Sequence, residues 1–144
     1  MASDDLTGIA AIRAGLAANL EALRAGGFDG TISPYQLSNV STPAIEIGKG
    51  PTEYDETMER GSDFVTMYAR VYVALSTDEE AQALLDTYLD PLGPLSVKTA
   101  LETDRTLGGA CADLIVRRDD GHQLYGGDAG GVLLGSSFTV EVYT

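Results

Sequence analysis

Leu6, Ile9, Ile12, Leu16, Leu20 and Leu23 recur at steps of three and four residues. That stripe predicts an amphipathic helix with one face turned to a core. Asp4, Asp5 and Thr7 offer capping oxygens and negative charge near its start, and Gly26 and Gly27 supply a stop. From Phe28 the periodicity dissolves. "FDGTISPYQLSNVSTPAIEI" (28–47) holds turn residues throughout and predicts an irregular, partly extended segment with a short strand at 44–47. "GKGPTEYDETMERGSD" (48–63) predicts a long acidic loop, of a length that compact domains use for functional or mobile connections.

The clearest strand is "FVTMYARVYVA" (64–74). Val65, Met67, Ala69, Val71 and Val73 point one way and suit a core under a helix. Phe64, Thr66, Tyr68, Arg70 and Tyr72 point the other way, an amphipathic and aromatic set that is either partly covered by the same chain or used as a contact surface. A second helix follows over 77–90, with Thr77 and Glu80 spaced as a capping box. Its buried side is Ala81, Leu84, Leu85 and Tyr88, and Pro91 ends it. A third helix over 96–104, a strand through Arg118, a turn-rich stretch (118–132) with a short strand at most, and a closing strand over 133–144 complete the pattern. The order α-β-β-α-α-β-β predicts an α+β fold: an antiparallel sheet with helices packed on one face. No internal repeat is visible, and the 144 residues fit one domain able to bury roughly 70% of its unfolded surface.

Charge narrows the partners. Lys and Arg number 9 against 22 Asp and Glu, a net charge of −13. The basic residues are scattered, with Arg117 and Arg118 alone adjacent. Such a surface repels phosphate and anionic lipid, which argues against nucleic-acid recognition by a basic patch. No run of 18 apolar residues occurs, and the start lacks a basic segment followed by an apolar stretch. The expectation is therefore neither a membrane span nor a secretory leader. With one cysteine and one histidine, no internal disulfide and no Cys- or His-rich metal site is expected.

Candidate chemistry is sparse. "LGGACADLIV" (107–116) lies between a helix and a strand, whereas a phosphate cradle needs a strand feeding a glycine loop that opens a helix. Leu-Gly-Gly reads as a tight helix-to-strand connection, its glycines allowing positive φ and close backbone approach. Gly48-Lys49 is no phosphate loop either, because Pro43 and Gly50 stand where that motif needs glycine and a hydroxyl residue. Cys111 would need a base, and the one histidine, His122, follows Asp119, Asp120 and Gly121 in a predicted turn, a poor place for a rigid nucleophile pair. "GGDAGG" (126–131) resembles a calcium-binding repeat that works only in arrays. The carboxylates otherwise sit at helix starts and turns. No catalytic residue, cofactor or metal is expected.

One segment carries a resemblance. "SVKTALETDRTLGGACADLIV" (96–116) is similar to a segment of the tail terminator, or tail-completion, proteins of long-tailed bacteriophages, especially those infecting actinobacteria. There a short helix reading S-V-K/R-x-A-[LI]-E-x-D precedes T-L-G-G and a strand. Ser96, Val97, Lys98, Ala100, Leu101, Glu102, Asp104, Thr106, Leu107, Gly108 and Gly109 carry it here. Tyr54 and Asp55 with Met58, Arg60 and Gly61 resemble the same family's approach to its long strand.

The resemblance implies a virion protein without enzymatic activity: a small α+β subunit that forms a homo-oligomeric ring, typically a hexamer, on the end of the finished tail tube. The ring stops tube polymerisation and offers the surface that joins the capsid connector or stopper. Assembly would take place in the bacterial host's cytoplasm, and DNA would pass through the hole without sequence-specific binding. Interface candidates are Tyr54, Asp55, Met58, Glu59, Arg60, Tyr68, Arg70 and Tyr72. Two alternatives stay open. One is another neck protein, of the head-completion or connector-stopper kind. The other is a small carboxylate-based enzyme or ligand-binding domain, which would need Asp113, Asp119 or Asp128 in an apolar cleft.

Overall fold

In the computed structural model, which describes residues 8–38, 42–54, 63–74, 78–126 and 132–144, the aliphatic stripe closes into helix α1 (Gly8–Leu20). Ile12, Leu16 and Leu20 are buried on one side of it, and Leu23 continues the stripe in a 3-10 turn (Glu21–Gly26). Gly27, at φ 106°, ends the run and donates its N–H back to the Arg24 carbonyl, as a left-handed glycine cap does. The capping oxygens expected from Asp4, Asp5 and Thr7 lie outside the described residues.

Six strands form a mixed sheet, and with the helices they make an α+β fold. They are β1 (Thr31–Ser33), β2 (Ala44–Glu53), β3 (Phe64–Ala74), β4 (Asp113–Asp119), β5 (Gln123–Gly126) and β6 (Val132–Tyr143). The spatial order is β1-β2-β3-β6-β4, with β5 also paired to β6. Every pairing is antiparallel except β1 with β2, which is parallel. The expectation of a purely antiparallel sheet is corrected there. Two short strands, β1 and β5, are also added to the expected order. Each is too short to show a period, and each exists because a long neighbour offers it a ladder.

Strand β2 is the larger departure from the sequence reading. It runs through Gly48, Lys49, Gly50, Pro51 and Thr52 to Glu53, where glycine and proline predict a loop. Between Lys49 and Thr52 the register against β3 slips by one residue, a bulge that takes up Gly50 and Pro51. Tyr68 of β3 lies opposite Gly48. A Cβ on Gly50 would stand 2.7 Å from the Tyr68 ring. The aromatic ring therefore fills the space Gly50 leaves, the Gln36 side chain lies over Gly48, and strand pairing overrides local propensity.

Helices α2 (Glu79–Leu89) and α3 (Val97–Leu101) follow β3. Asp78 caps α2 by accepting the Ala81 N–H at 2.9 Å. The cap thus falls one residue later than the predicted capping box, whose Thr77 lies outside the described residues. Ala81, Leu85 and Tyr88 are buried, but Leu84 is 39% exposed, a correction to the predicted buried side. Ser96 caps α3 through the Thr99 N–H. One apolar cluster joins Ile12, Leu16, Leu20, Leu85, Val97 and Leu101 from the helices to Val65, Met67, Ala69 and Val71 of β3 and Leu114, Val140 and Val142 of β4 and β6. The alternation of β3 is therefore realised, with its aliphatic set in the core.

The Leu-Gly-Gly stretch forms a 3-10 turn (Leu107–Gly109) between α3 and β4. Gly108 and Gly109 adopt φ of 69° and 100°, the conformations that require glycine. Nothing lies within 4 Å of where their Cβ atoms would be, so the close backbone approach expected there is not what they provide. Leu107 itself takes a positive φ of 52° while its side chain is buried against Gly15 of α1. Asp104 holds this strained turn: its carboxylate accepts from the Thr106 N–H, the Thr106 hydroxyl and the Gly108 N–H at 2.8–3.0 Å. Buried Asn19 ties the same turn to α1 by donating to the Leu101 and Asp104 carbonyls.

Candidate functional site

The second face of the sheet is built from the other half of each alternation. On β3 it presents Phe64, Thr66, Tyr68, Arg70 and Tyr72. Cross-strand partners are Glu46 and Gly48 on β2, and Ser137, Thr139, Glu141 and Tyr143 on β6. This face divides into a covered end and an open end.

At the covered end, Tyr72 packs with Ala44 and Leu133, and Leu37 and Tyr125 lie against them. The Tyr72 ring meets the Tyr125 ring edge-on, with centroids 5.5 Å apart. Glu46 is 4% exposed beneath this cover. Its carboxylate accepts the Leu37 N–H at 2.9 Å and the Tyr72 hydroxyl at 3.1 Å, and Arg70 Nη1 lies 3.9 Å away. The Arg70 guanidinium stacks on the Tyr125 ring, 4.6 Å from its centroid, a favourable cation–π geometry. Burial pushes the Tyr72 and Tyr125 hydroxyls above the usual phenol range. Burial also pulls on Arg70, but its interactions with Tyr72, Tyr125 and Glu46 outweigh that and hold it firmly charged.

At the open end lies a concavity of about 540 Å³, lined among others by Tyr68, Arg70, Arg117, Arg118, Thr139 and Glu141. Arg117 and Arg118 are neighbours in sequence and would ordinarily point to opposite faces of a strand. Between Val116 and Arg118 the register of β4 against β6 slips, and both arginines reach the same concavity. Arg117 donates to Glu141 Oε1 through Nε at 3.0 Å and Nη2 at 2.7 Å. The guanidinium holds the Glu141 carboxyl below its ordinary range, helped by the Tyr143 hydroxyl at 3.2 Å. Arg118 makes a looser pair with Asp120 at 3.6 Å and keeps 71% of its side chain exposed. Phe64 and Tyr143 stack across the strands at 5.1 Å, extending the aromatic strip beyond the arginines.

Against the sequence expectations, Tyr68 and Arg70 lie on this half-exposed face. Tyr72 shares it but is 5% exposed, its ring packed within the chain against Ala44, Leu133 and Tyr125. One end of this face is therefore covered by the chain itself, and the other end is open. Tyr54 stands apart at the end of β2, 75% exposed. Asp55, Met58, Glu59 and Arg60 lie outside the described residues.

Periodicity and motifs do not mark Glu46, Tyr125, Arg117, Arg118 and Glu141 as members of one site. A charged residue in the middle of "AIEI" was a signal for the first, since a carboxylate inside an apolar alternation needs a partner. The arginines gave none, because only the bulge brings them together.

The alternative chemistry finds little assembly. The Cys111 thiol is buried with its sulfur 3.4 Å from the Arg105 carbonyl, and burial with the nearby Asp113 and Asp104 carboxylates pushes its pKa up. His122 Nε2 instead meets Asp86 of α2 at 2.7 Å. Asp113 pairs bidentately with Arg105 at one end of β4, and Asp119 accepts the Gly121 N–H in the turn at the other. Asp128 lies outside the described residues. Among the described residues no three His, Cys, Asp or Glu side chains gather as around a metal ion, and no helix is long and apolar enough to cross a membrane. Comparison with protein-family models finds no match, and comparison with curated proteins finds none either.

Proposed function

We propose that this chain is a tail-terminator-type virion subunit: copies of it form a ring, in the manner of a hexamer, on the end of a phage tail tube, end its polymerisation and present a surface to the capsid connector. In this reading the helices all lie on one face of the sheet, and the opposite face is kept for protein contacts. The observation that carries it is the open end of that face, where Tyr68, Arg70, Arg117 and Arg118 stay accessible around a shallow concavity. Tyrosine and arginine are the side chains that protein–protein interfaces favour.

The segment that carries the family resemblance supports the same reading in another way. Ser96, Glu102, Asp104, Leu107, Gly108 and Gly109 serve here to cap a helix, tie it to β4 and hold a strained turn. Shared residues of that kind preserve a shape rather than a reaction. A net charge of −13 suits a channel through which DNA slides without sticking, since it offers few cations for phosphate. The subunit acts in the virion, at the neck of the tail.

Electron microscopy of the protein mixed with purified tail tubes tests the proposal. Caps on one end of the tubes are expected. Tubes left bare, with the protein bound to capsid connectors instead, would transfer the assignment to a head-completion or stopper protein. Binding to neither would remove the neck reading altogether.

A further inference from the structure

The chain carries an exposed acidic helix and, on another side of the sheet, a concavity where three arginines gather among carboxylates. Helix α2 with its cap presents Asp78, Glu79, Glu80 and Asp86, all exposed, and contains no lysine or arginine. Its buried side belongs to the core cluster with Val65 and Met67, so this helix stands on the aliphatic side of β3. Arg70, Arg117 and Arg118 line the concavity on the other side, with Asp120 and Glu141 between them.

We propose that the arginine-bearing sheet face receives the acidic α2 surface of a second copy of this chain. The inference rests on the ring reading above and names the surfaces that would close such a ring. Three arguments carry it.

The first is charge. Two copies at −13 repel across most orientations, and a contact must set acid against base to form. The other described cations are dispersed: Arg13 on the Pro34 and Ile47 carbonyls, Arg24 with Glu21, Lys49 on the Gly50 carbonyl, Lys98 with Glu102, Arg105 with Asp113. The concavity is where three arginines converge.

The second argument is availability. Arg117 is held in place by Glu141, whereas Arg118 is mostly exposed and its pair with Asp120 is long. Exposed pairs of that kind exchange at little cost. An incoming glutamate can compete with Asp120 for Arg118.

The third is symmetry. The two surfaces lie on different faces of one subunit, so the contact joins unlike patches. A head-to-tail contact repeats from copy to copy and closes into a ring when its rotation permits, whereas a self-complementary patch stops at a dimer.

Two charge-reversed chains provide the test, Arg117→Glu with Arg118→Glu on one and Glu79→Lys with Glu80→Lys on the other. Association is measured by sedimentation velocity in solution and by capping of tail tubes, after circular dichroism shows each variant folded. If the double arginine variant melts early, Arg118→Glu alone replaces it. The unaltered chain should associate, more weakly as salt rises. Each variant alone should lose association by about tenfold or more. Mixing the two should restore it, because the reversed sheet face then meets the reversed helix. Undiminished association in either variant, or loss with no rescue on mixing, would overturn this pairing of surfaces while leaving a ring possible through others. An unaltered chain that stays monomeric both in solution and on tubes would sink the ring reading itself.

Discussion

The carboxylate of Glu46 accepts a hydrogen bond from the hydroxyl of Tyr72, 3.1 Å away, on neighbouring strands and beneath the cover of Leu37 and Tyr125. The pair is buried and anchors the closed end of a face whose other end is open. Replacing Tyr72 by Phe removes one donor from a buried acceptor and should cost about 1 kcal/mol. Glu46→Ala strands the tyrosine hydroxyl and the Leu37 N–H together and deprives Arg70 of its nearest carboxylate. A loss of about 2–3 kcal/mol is expected, discounted from the full buried-pair value because Arg70 is about one-third exposed. Urea unfolding of the two variants measures both, and equal midpoints would deny Glu46 its organising role.

Gly15 of α1 faces Leu107 so closely that a Cβ there would stand 2.7 Å from the leucine Cβ. Alanine normally favours a helix over glycine by about 1 kcal/mol. Here the obstacle is the base of a side chain whose backbone is already held at positive φ, so it has little room to yield. Gly15→Ala should therefore destabilise the chain, by about 1–2 kcal/mol. A raised melting temperature would contradict this packing.

Three carboxyl groups have folded-state pKa values below their ordinary ones. Asp104 is lowered by hydrogen bonds from Thr106 and Gly108. Glu102 is lowered by Lys98 and the Val116 N–H against the opposing effect of burial. Glu141 is lowered by Arg117. A depressed carboxyl contributes stability that is fully present above its unfolded pKa, roughly 4, and is lost as pH falls through the folded value. Melting temperature should hold near neutrality and decline below about pH 4. Asp104→Asn should lower stability at pH 7 and shallow that decline, since the substituted amide does not titrate. Parallel pH profiles of the two chains would show that Asp104 does not contribute to the slope.

Cys111 is 8% exposed at the entry to β4, and burial raises its pKa. Little thiolate exists near neutral pH, and the sulfur is screened from reagent. Alkylation of the native chain should be slow at pH 7.5 and fast once denaturant is added, with a rate that follows unfolding. Rapid modification of the folded chain would mean that this strand entry opens readily.

How far the sequence speaks depends on how local the cause is. The leucine spacing of α1 and the alternation of β3 are local periodicities, and among the described residues Ile12, Leu16, Leu20 and Leu23 and the aliphatic set of β3 lie in the core, with Ile9 packed at its edge. The glycine stop at Gly27 and the positive φ at Gly108 and Gly109 follow from what glycine alone adopts easily. Where the outcome hangs on a distant partner, local reading goes astray. "GKGPTE" lengthens into β2 because β3 offers hydrogen bonds and Tyr68 fills the gap above Gly50. Leu84 matches the buried stripe of α2, yet the packing of that helix leaves it in solvent.

The site shows the same division. That Tyr68 and Arg70 share a face was readable from a period of two. That Tyr72, on the same face, is spent inside the chain depends on Leu37 and Tyr125 folding over it from remote segments. The gathering of Arg117 and Arg118 with Arg70 depends on a one-residue slip between β4 and β6, which no pattern within "LIVRRDD" encodes. Periodicity sorts side chains between two directions. Register, bulges and covering segments decide which of those directions meets water, and those are set by long-range pairing energies spread over the whole sheet.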